Sequence, residues 1–264
     1  MKNKLFAILL SSFALTGLFA QQAAAQTRTS VSDQELLARV DATISYLNTD
    51  FSAQYEIVQD RPGRARTTTT AGVFRRDSRE EYVIIIMEPS ISRGQGYIKR
   101  ENNLRFYDPQ SRRFQTTSNA SRFLDNSNAR NSDFTRSTLA QDYRVVTGVN
   151  EQLGSFNCRV LTLEAVTTHV EYPRMKIWVC ENNLLRQSEE YSLSGQLMRR
   201  TVVADYYSIN GRFVPRQAMY IDINRGATIN GVFVNERTQV TINRPSFNRI
   251  ADSVFSDAFL ESFH

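Results

Sequence analysis

From Phe51 to about residue 243, apolar side chains recur at every second position in one segment after another. A period of two sends successive side chains to opposite faces of an extended backbone, so this pattern commits most of the chain to β-sheet. The first such segment sets Phe51, Ala53, Tyr55 and Ile57 against Ser52, Gln54 and Glu56. Further strands are predicted at 67–76, 80–88, 95–101, 103–107, 112–118, 143–150, 156–167, 173–181, 184–193, 196–208, 212–223 and 231–243. Between them lie residues that favour tight turns: Asn102-Asn103, Asp108-Pro109, Asn182-Asn183, Ser194-Gly195, Asn210-Gly211 and Arg225-Gly226. The run EYVIIIMEP (81–89) is apolar at consecutive positions and should be covered on both faces. The expectation is an antiparallel meander.

Helical spacing is confined to the ends and one short stretch. Ser32-Asp33-Gln34-Glu35 has the form of a capping box, and Leu36, Leu37, Val40, Ile44 and Leu47 follow at helical intervals, which predicts a helix over 33–48. Val254, Phe255, Phe259 and Phe263 predict a C-terminal helix with an aromatic face. The stretch SNASRFLDNSNARNSDFTRSTLAQDY (118–143) is rich in Asn and Ser and reads as an irregular excursion with a short helix near Ser137 to Gln141.

Cys158 and Cys180 are the only cysteines. If strands 156–167 and 173–181 form a hairpin whose loop centres on His169, facing residues have numbers that sum to 338. Leu161 then meets Ile177, Leu163 meets Met175, Glu164 meets Arg174 and Cys158 meets Cys180. Apolar faces apolar, acid faces base and the thiols face each other, which predicts a cross-strand disulfide. Leu161, Leu163, Met175 and Ile177 share one face. Thr162, Glu164, Arg174 and Lys176 share the other, with Val160 and Trp178 near the disulfide. Downstream, Phe213, Met219, Ile221 and Ile223 alternate with Arg216, Ala218, Tyr220 and Asp222. Val232, Val234, Val240 and Ile242 repeat the pattern. A long sheet with one apolar face is expected, and something must cover that face.

Lys2 and Lys4, the apolar stretch Leu5 to Ala20 and Ala23-Ala24-Ala25 have the form of a secretory signal peptide over 1–25, cleaved after Ala25. The apolar run is short for a membrane span of about 20 residues. Export would place the two cysteines where a disulfide persists. The remaining 239 of 264 residues suit a single domain over 26–264, with no Pro/Gly/Ser linker to divide it. Losing Lys2 and Lys4 lowers the formal charge from +5 to +3, a near balance that, with export, argues against nucleic acid as a partner. Past the leader, Lys99 and Lys176 are the only lysines and every other basic residue is arginine, whose planar fork suits phosphate and carboxylate.

The sequence has no GxSxG, HExxH, P-loop or GxGxxG motif. The two histidines fall in a hairpin loop (His169) and at the terminus (His264), so no histidine pair is in place for a metal or a general base. The expectation is a protein that is not an enzyme and needs no cofactor or metal.

The segment GQGYIKRENNLRFYDPQSRRF (94–114), followed by ARNSDFTRSTLAQDY (129–143), resembles the outer-membrane lipoprotein-sorting family, relatives of the periplasmic carrier LolA. Tyr107, Asp108, Pro109, Arg112 and Arg113 match a glycine-led strand that ends in a Tyr-x-Pro-like turn and two arginines. Ser132, Asp133, Phe134, Thr135 and Leu139 match the second motif, with Asn131 in place of the usual glycine. Trp178, Tyr191, Gly195, Tyr207, Gly211 and Pro215 fit as well. The resemblance implies a mainly β (α+β), open and curved antiparallel half-barrel with helices covering its concave apolar face. That face would hold acyl chains, and its expected lining is Phe51, Tyr55, Ile57, Leu161, Leu163, Met175, Ile177, Met219, Ile221 and Ile223. The function implied is a monomeric periplasmic carrier of lipid or acylated lipoprotein, loaded by an inner-membrane exporter and discharging towards the outer membrane. A non-transporting envelope sensor of the same fold is the alternative.

Overall fold

The computed structural model describes residues 31–101, 103–124 and 127–263. The expected signal peptide at 1–25 lies outside the described residues. Among those described, no helix is long and apolar enough to cross a membrane.

Two meanders build the molecule. The first contains β1 (Phe51–Asp60), β2 (Thr67–Arg76), β3 (Glu81–Glu88), β4 (Gly96–Arg100), β5 (Asn103–Asp108) and β6 (Arg113–Thr116). The second contains β7 (Tyr143–Leu153), β8 (Phe156–Ala165), β9 (Arg174–Val179), β10 (Leu185–Tyr191), β11 (Leu197–Ile209), β12 (Arg212–Ile229) and β13 (Val232–Ser246). Each expected strand is present. The first and last strands pair antiparallel, with Tyr55 opposite Ile242 and Ile57 opposite Val240, and this fuses the meanders into one open, curved 13-stranded sheet.

Register carries side-chain direction across the sheet. Tyr55 and Ile57 share a face with Ala71 and Val73 of β2, Ile84 and Ile86 of β3 and Tyr97 of β4. In the other direction the same face continues through Val240 and Ile242 to Ala218 and Tyr220, Val203, Ser188 and Glu190, Met175 and Ile177, and Leu161 and Leu163. We call this the inner face.

Three elements cover the sheet, and they do not share a side. Helix α1 (Asp33–Ile44) packs Leu37 and Val40 onto Leu161, Leu163 and Ile177 of the inner face. The Ser32 hydroxyl caps it by accepting from the Glu35 amide at 3.1 Å, while the Glu35 carboxylate accepts from Arg39. Asp33 grips Arg159 of β8 at 2.8 Å, and Gly148 of β7 makes room for it. A β-carbon there would stand 2.1 Å from the Asp33 carboxylate. Segment 117–142, which ends in the one-turn helix α2 (Leu139–Asp142), links β6 at one edge of the sheet to β7 at the other. It lies on the inner face. Helix α3 (Asp257–Ser262) packs instead on the outer face, where Phe255 and Leu260 meet Val83, Ile85, Ile98 and Tyr107. β3 is thus covered on both sides, as its continuous apolar run requires. The expected arrangement of helices over the concave face is corrected accordingly: α1 covers one end of the inner face, an irregular segment covers the middle, and α3 is on the other side.

Two further expectations change. Helix α1 stops at Ile44, because Ser45 is extended and Leu47 is exposed. The last hairpin turns at Asn230-Gly231, not at Arg225-Gly226. Residues 222–225 form a wide bulge opposite Glu236, and a β-carbon on Gly226 would meet the Val234 carbonyl oxygen at 2.1 Å.

Candidate functional site

The inner face is a floor of alternate strand residues. Its larger cluster joins Phe51, Tyr55, Ile57, Ile84, Ile86 and Tyr97 to Val203, Val240 and Ile242. Above this floor the crossover segment drives in two rings. Phe123 and Phe134 stack at 4.5 Å. Phe123 lies 4.9 Å from the Tyr97 ring, and Phe134 lies 5.8 Å from Tyr55. Both rings are buried, so the cover occupies the apolar space with its own side chains.

The cover is held by charge and by isolated hydrogen bonds more than by strand pairing. Among the described residues its one β-bridge is local, between Arg122 and Arg130. Arg199, on β11 and 8% exposed, projects inward and donates to both Asp133 oxygens at 2.8 and 3.2 Å. Its Nε donates to Glu190 of β10, 2% exposed, at 3.2 Å, and its guanidinium lies over the rings of Tyr172 and Tyr220. Burial opposes the charge of Arg199, but the carboxylates of Asp133 and Glu190 outweigh burial and hold its pKa well above the ordinary value. Burial pushes the Glu190 carboxyl up, against the pull of Arg199 and of the Ser188 hydroxyl that donates to it at 2.6 Å. A second tie joins Arg122 to Asp222 of β12 at 2.7 Å, and a third runs from the Asn128 amide to the Thr238 hydroxyl of β13 at 2.8 Å. Arg136 pairs with Glu80, and Asp41 of α1 accepts from the amides of Leu139 and Ala140 at 3.0 and 2.8 Å.

The expected lining divides. Phe51, Tyr55, Ile57, Leu161, Leu163, Met175 and Ile177 are all on the inner face and buried. Met219 and Ile221 are not, and Ile223 is half-buried in the 222–225 bulge, outside the paired register. Met219 faces Val202, Ile221 faces Arg200, and their neighbours Ala218 and Tyr220 point inward instead. The half-buried side chains of that alternation pointed to the wrong parity, and only pairing with β11 and β13 fixes it. The two sequence motifs also separate. Tyr107 stacks on Phe114 at 4.7 Å on the outer face, Pro109 packs beside Gly94, and Arg112 and Arg113 are exposed. Ser132, Asp133 and Phe134 belong to the cover, where Asp133 also accepts from the Arg130 amide at 2.6 Å. Asn131 is buried and donates to the Ser118 carbonyl at 2.8 Å. Sequence reasoning missed the group Arg199, Glu190 and Ser188. Carrying the cysteine register through the next two hairpins, β9–β10 and β10–β11, would have turned all three inward.

The disulfide stands where the register puts it. Cys158 and Cys180 are joined across β8 and the end of β9, with Cα atoms 4.0 Å apart, beside Val160 and Trp178 on the outer face. Two open clefts lie elsewhere. One of about 770 Å³ lies by the disulfide between Leu36, Glu151 and Arg159, and one of about 380 Å³ lies between Asp50, Arg76 and Arg249. Neither is lined by Phe51, Tyr55, Ile57, Leu161 or Leu163. Among the described residues, no group of His, Cys, Asp and Glu is arranged to hold a metal ion.

A family model described only as being like an uncharacterized protein matches residues 78–262. The chain belongs to that family. A crystal structure of a LolA superfamily protein from Nitrosomonas europaea superposes with a TM-score of 0.71 at 21% identity, covering 87% of this chain and 100% of that one. A domain named for outer membrane lipoprotein sorting, from Vibrio parahaemolyticus, superposes at 0.74 with 15% identity and covers 86% and 97% of the two chains. A DUF1329 family protein from Desulfovibrio piger gives 0.74 at 16% identity, with the same coverage. No curated protein matches the sequence. What this chain shares with these proteins is the fold.

Proposed function

We propose that this LolA-fold protein is a periplasmic carrier that accepts the acyl chains of lipid or lipoprotein on its inner face and releases them towards the outer membrane. The observation that carries the reading is the nature of the cover. The inner face carries two apolar clusters parted by the polar group of Ser188, Glu190 and Arg199, yet the segment closing it is held by ion pairs and isolated hydrogen bonds to the sheet. Such a segment can move aside without dismantling the sheet. Each buried methylene of a ligand is worth about 0.8 kcal/mol, so an acyl chain could replace Phe123 and Phe134 without any covalent step. The reading assigns the protein no chemical reaction.

Native mass spectrometry and solvent extraction of the purified protein are expected to find lipid, or a fluorescent fatty acid should bind and be displaced by unlabelled fatty acid. A protein that is empty and ignores the probe would defeat the reading. Phe134→Ala should bind the probe more tightly than wild type, since it removes a side chain that competes for the same space.

The filled inner face favours a second reading, an envelope sensor of the same fold that docks onto a protein partner and carries nothing. A pull-down partner retained equally with and without lipid would support it.

A further inference from the structure

β12 and β13 run on past their neighbours. Arg237 is opposite Asp60, the last residue of β1, and Asp222 is opposite Arg199 near the start of β11. The four pairs from Gly226 opposite Asn235 to Ile229 opposite Val232 therefore have no strand beside them, and the hairpin projects by about 15 Å at roughly 3.3 Å per residue. Its tip is apolar and wet: Val232 is 65% exposed and Phe233 52%, with Ile229 and Val234 exposed beside them. Among the described residues, these side chains belong to none of the buried apolar clusters. The bulge at 222–225 is braced by Asn235, whose side chain donates to the carbonyls of Asp222 and Ile223 at 3.0 and 2.9 Å, so the hairpin leaves the sheet in a set direction.

The same rim bears further features of one kind. The turns β3–β4, β8–β9 and β10–β11 open on it and expose Ile91 (75%), Val166 and Leu193 (78%). The β1–β2 turn beside the hairpin carries Arg61, Arg64 and Arg66. Asp60 serves both Arg66 and Arg237, and among the described residues Arg61 and Arg64 have no ion pair. An apolar wedge with cationic forks at its base matches the boundary of a bilayer, where acyl chains lie under anionic phosphates. A wedge of four side chains covers much less than the roughly 1,000 Å² that a stable protein interface needs.

We propose that this rim docks on anionic lipid membranes, with Val232 and Phe233 entering the acyl boundary while Arg61 and Arg64 meet headgroup phosphates. Docking does not depend on what the inner face holds. The test is flotation of the chain from Gln26 onward, at low and high salt. One set of vesicles is equal parts phosphatidylethanolamine and phosphatidylglycerol, and the other is phosphatidylcholine alone. Wild type is expected to float with the anionic vesicles and less so at high salt. V232S/F233S should weaken partition at least about tenfold, because two apolar side chains leave the acyl boundary. R61S/R64S should lose most of the salt-sensitive part, about fivefold for each arginine. F233W gives a second readout, since the native Trp178 is buried beside the disulfide: its emission should shift to the blue on anionic vesicles. Wild type that stays unbound, variants that bind as wild type does, or a tip that drives self-association without vesicle binding would each overturn the assignment.

Discussion

Arg199 is the side chain on which the cover turns, because it is buried and is shared by Asp133 of the cover and Glu190 of the sheet. Removing one partner from such a group leaves charge buried without compensation, which costs about 3–5 kcal/mol. Arg199→Met should therefore lower the urea midpoint far more than Arg216→Met, whose guanidinium is half exposed. The cysteine pair acts through the unfolded chain. Closing a separation of 22 residues restricts that chain by about 3 kcal/mol, so Cys158→Ser/Cys180→Ser should lose about that much in denaturation. Unreduced, unfolded wild type should show no reactive thiol from this pair. Acid should act through Asp50. Burial alone would raise its pKa, but Arg76, which donates at 3.0 Å to each oxygen, and the Ile250 amide bring it below the ordinary 3.8. A carboxyl lowered in the folded state contributes stability that is present above 3.8 and lost as pH falls through the folded value. The melting temperature of wild type should drop as pH is lowered below 3.8, and Asp50→Asn, less stable at neutral pH, should converge with it once pH is below the folded value.

Among the elements, the crossover segment and the last hairpin differ most from what their composition indicates. A stretch rich in Asn and Ser looks like a solvated loop, yet 118–142 buries Phe123, Ala129, Ser127 and Phe134 and closes the inner face. Its polar residues serve as ties, which hydrophobic patterning does not register. In the hairpin, Arg225-Gly226 and Asn230-Gly231 both look like turns. Gly226 is needed where the β12 backbone nears the Val234 carbonyl, whereas Asn230 and Gly231 both adopt positive φ, as a two-residue hairpin turn demands. Gly226→Ala is expected to misdirect the tip while leaving the sheet intact. Its vesicle partition should fall while the far-ultraviolet circular dichroism stays that of wild type.

For the molecule as a whole, the decisive contact is between the first strand and the last. β1 and β13 are separated by most of the chain, and their pairing turns two meanders into one sheet. A fragment of residues 31–142 would keep β1 to β6 but leave the edge of β1 unpaired and strip Arg122, Asn128 and Asp133 of their partners in the second meander. It is expected to aggregate or stay unfolded in size-exclusion chromatography. The strands themselves, the 158–180 register and the two-sided burial of β3 were all legible from residue order, because side-chain alternation and hairpin pairing are local: they depend on residues a few positions apart or on facing arms of one turn. Long-range pairing and the choice of face could not be read that way. Met219 and Ile221 alternate as convincingly as Ala218 and Tyr220, and only the strands on either side, with Arg199 held between two carboxylates, decide which pair looks inward.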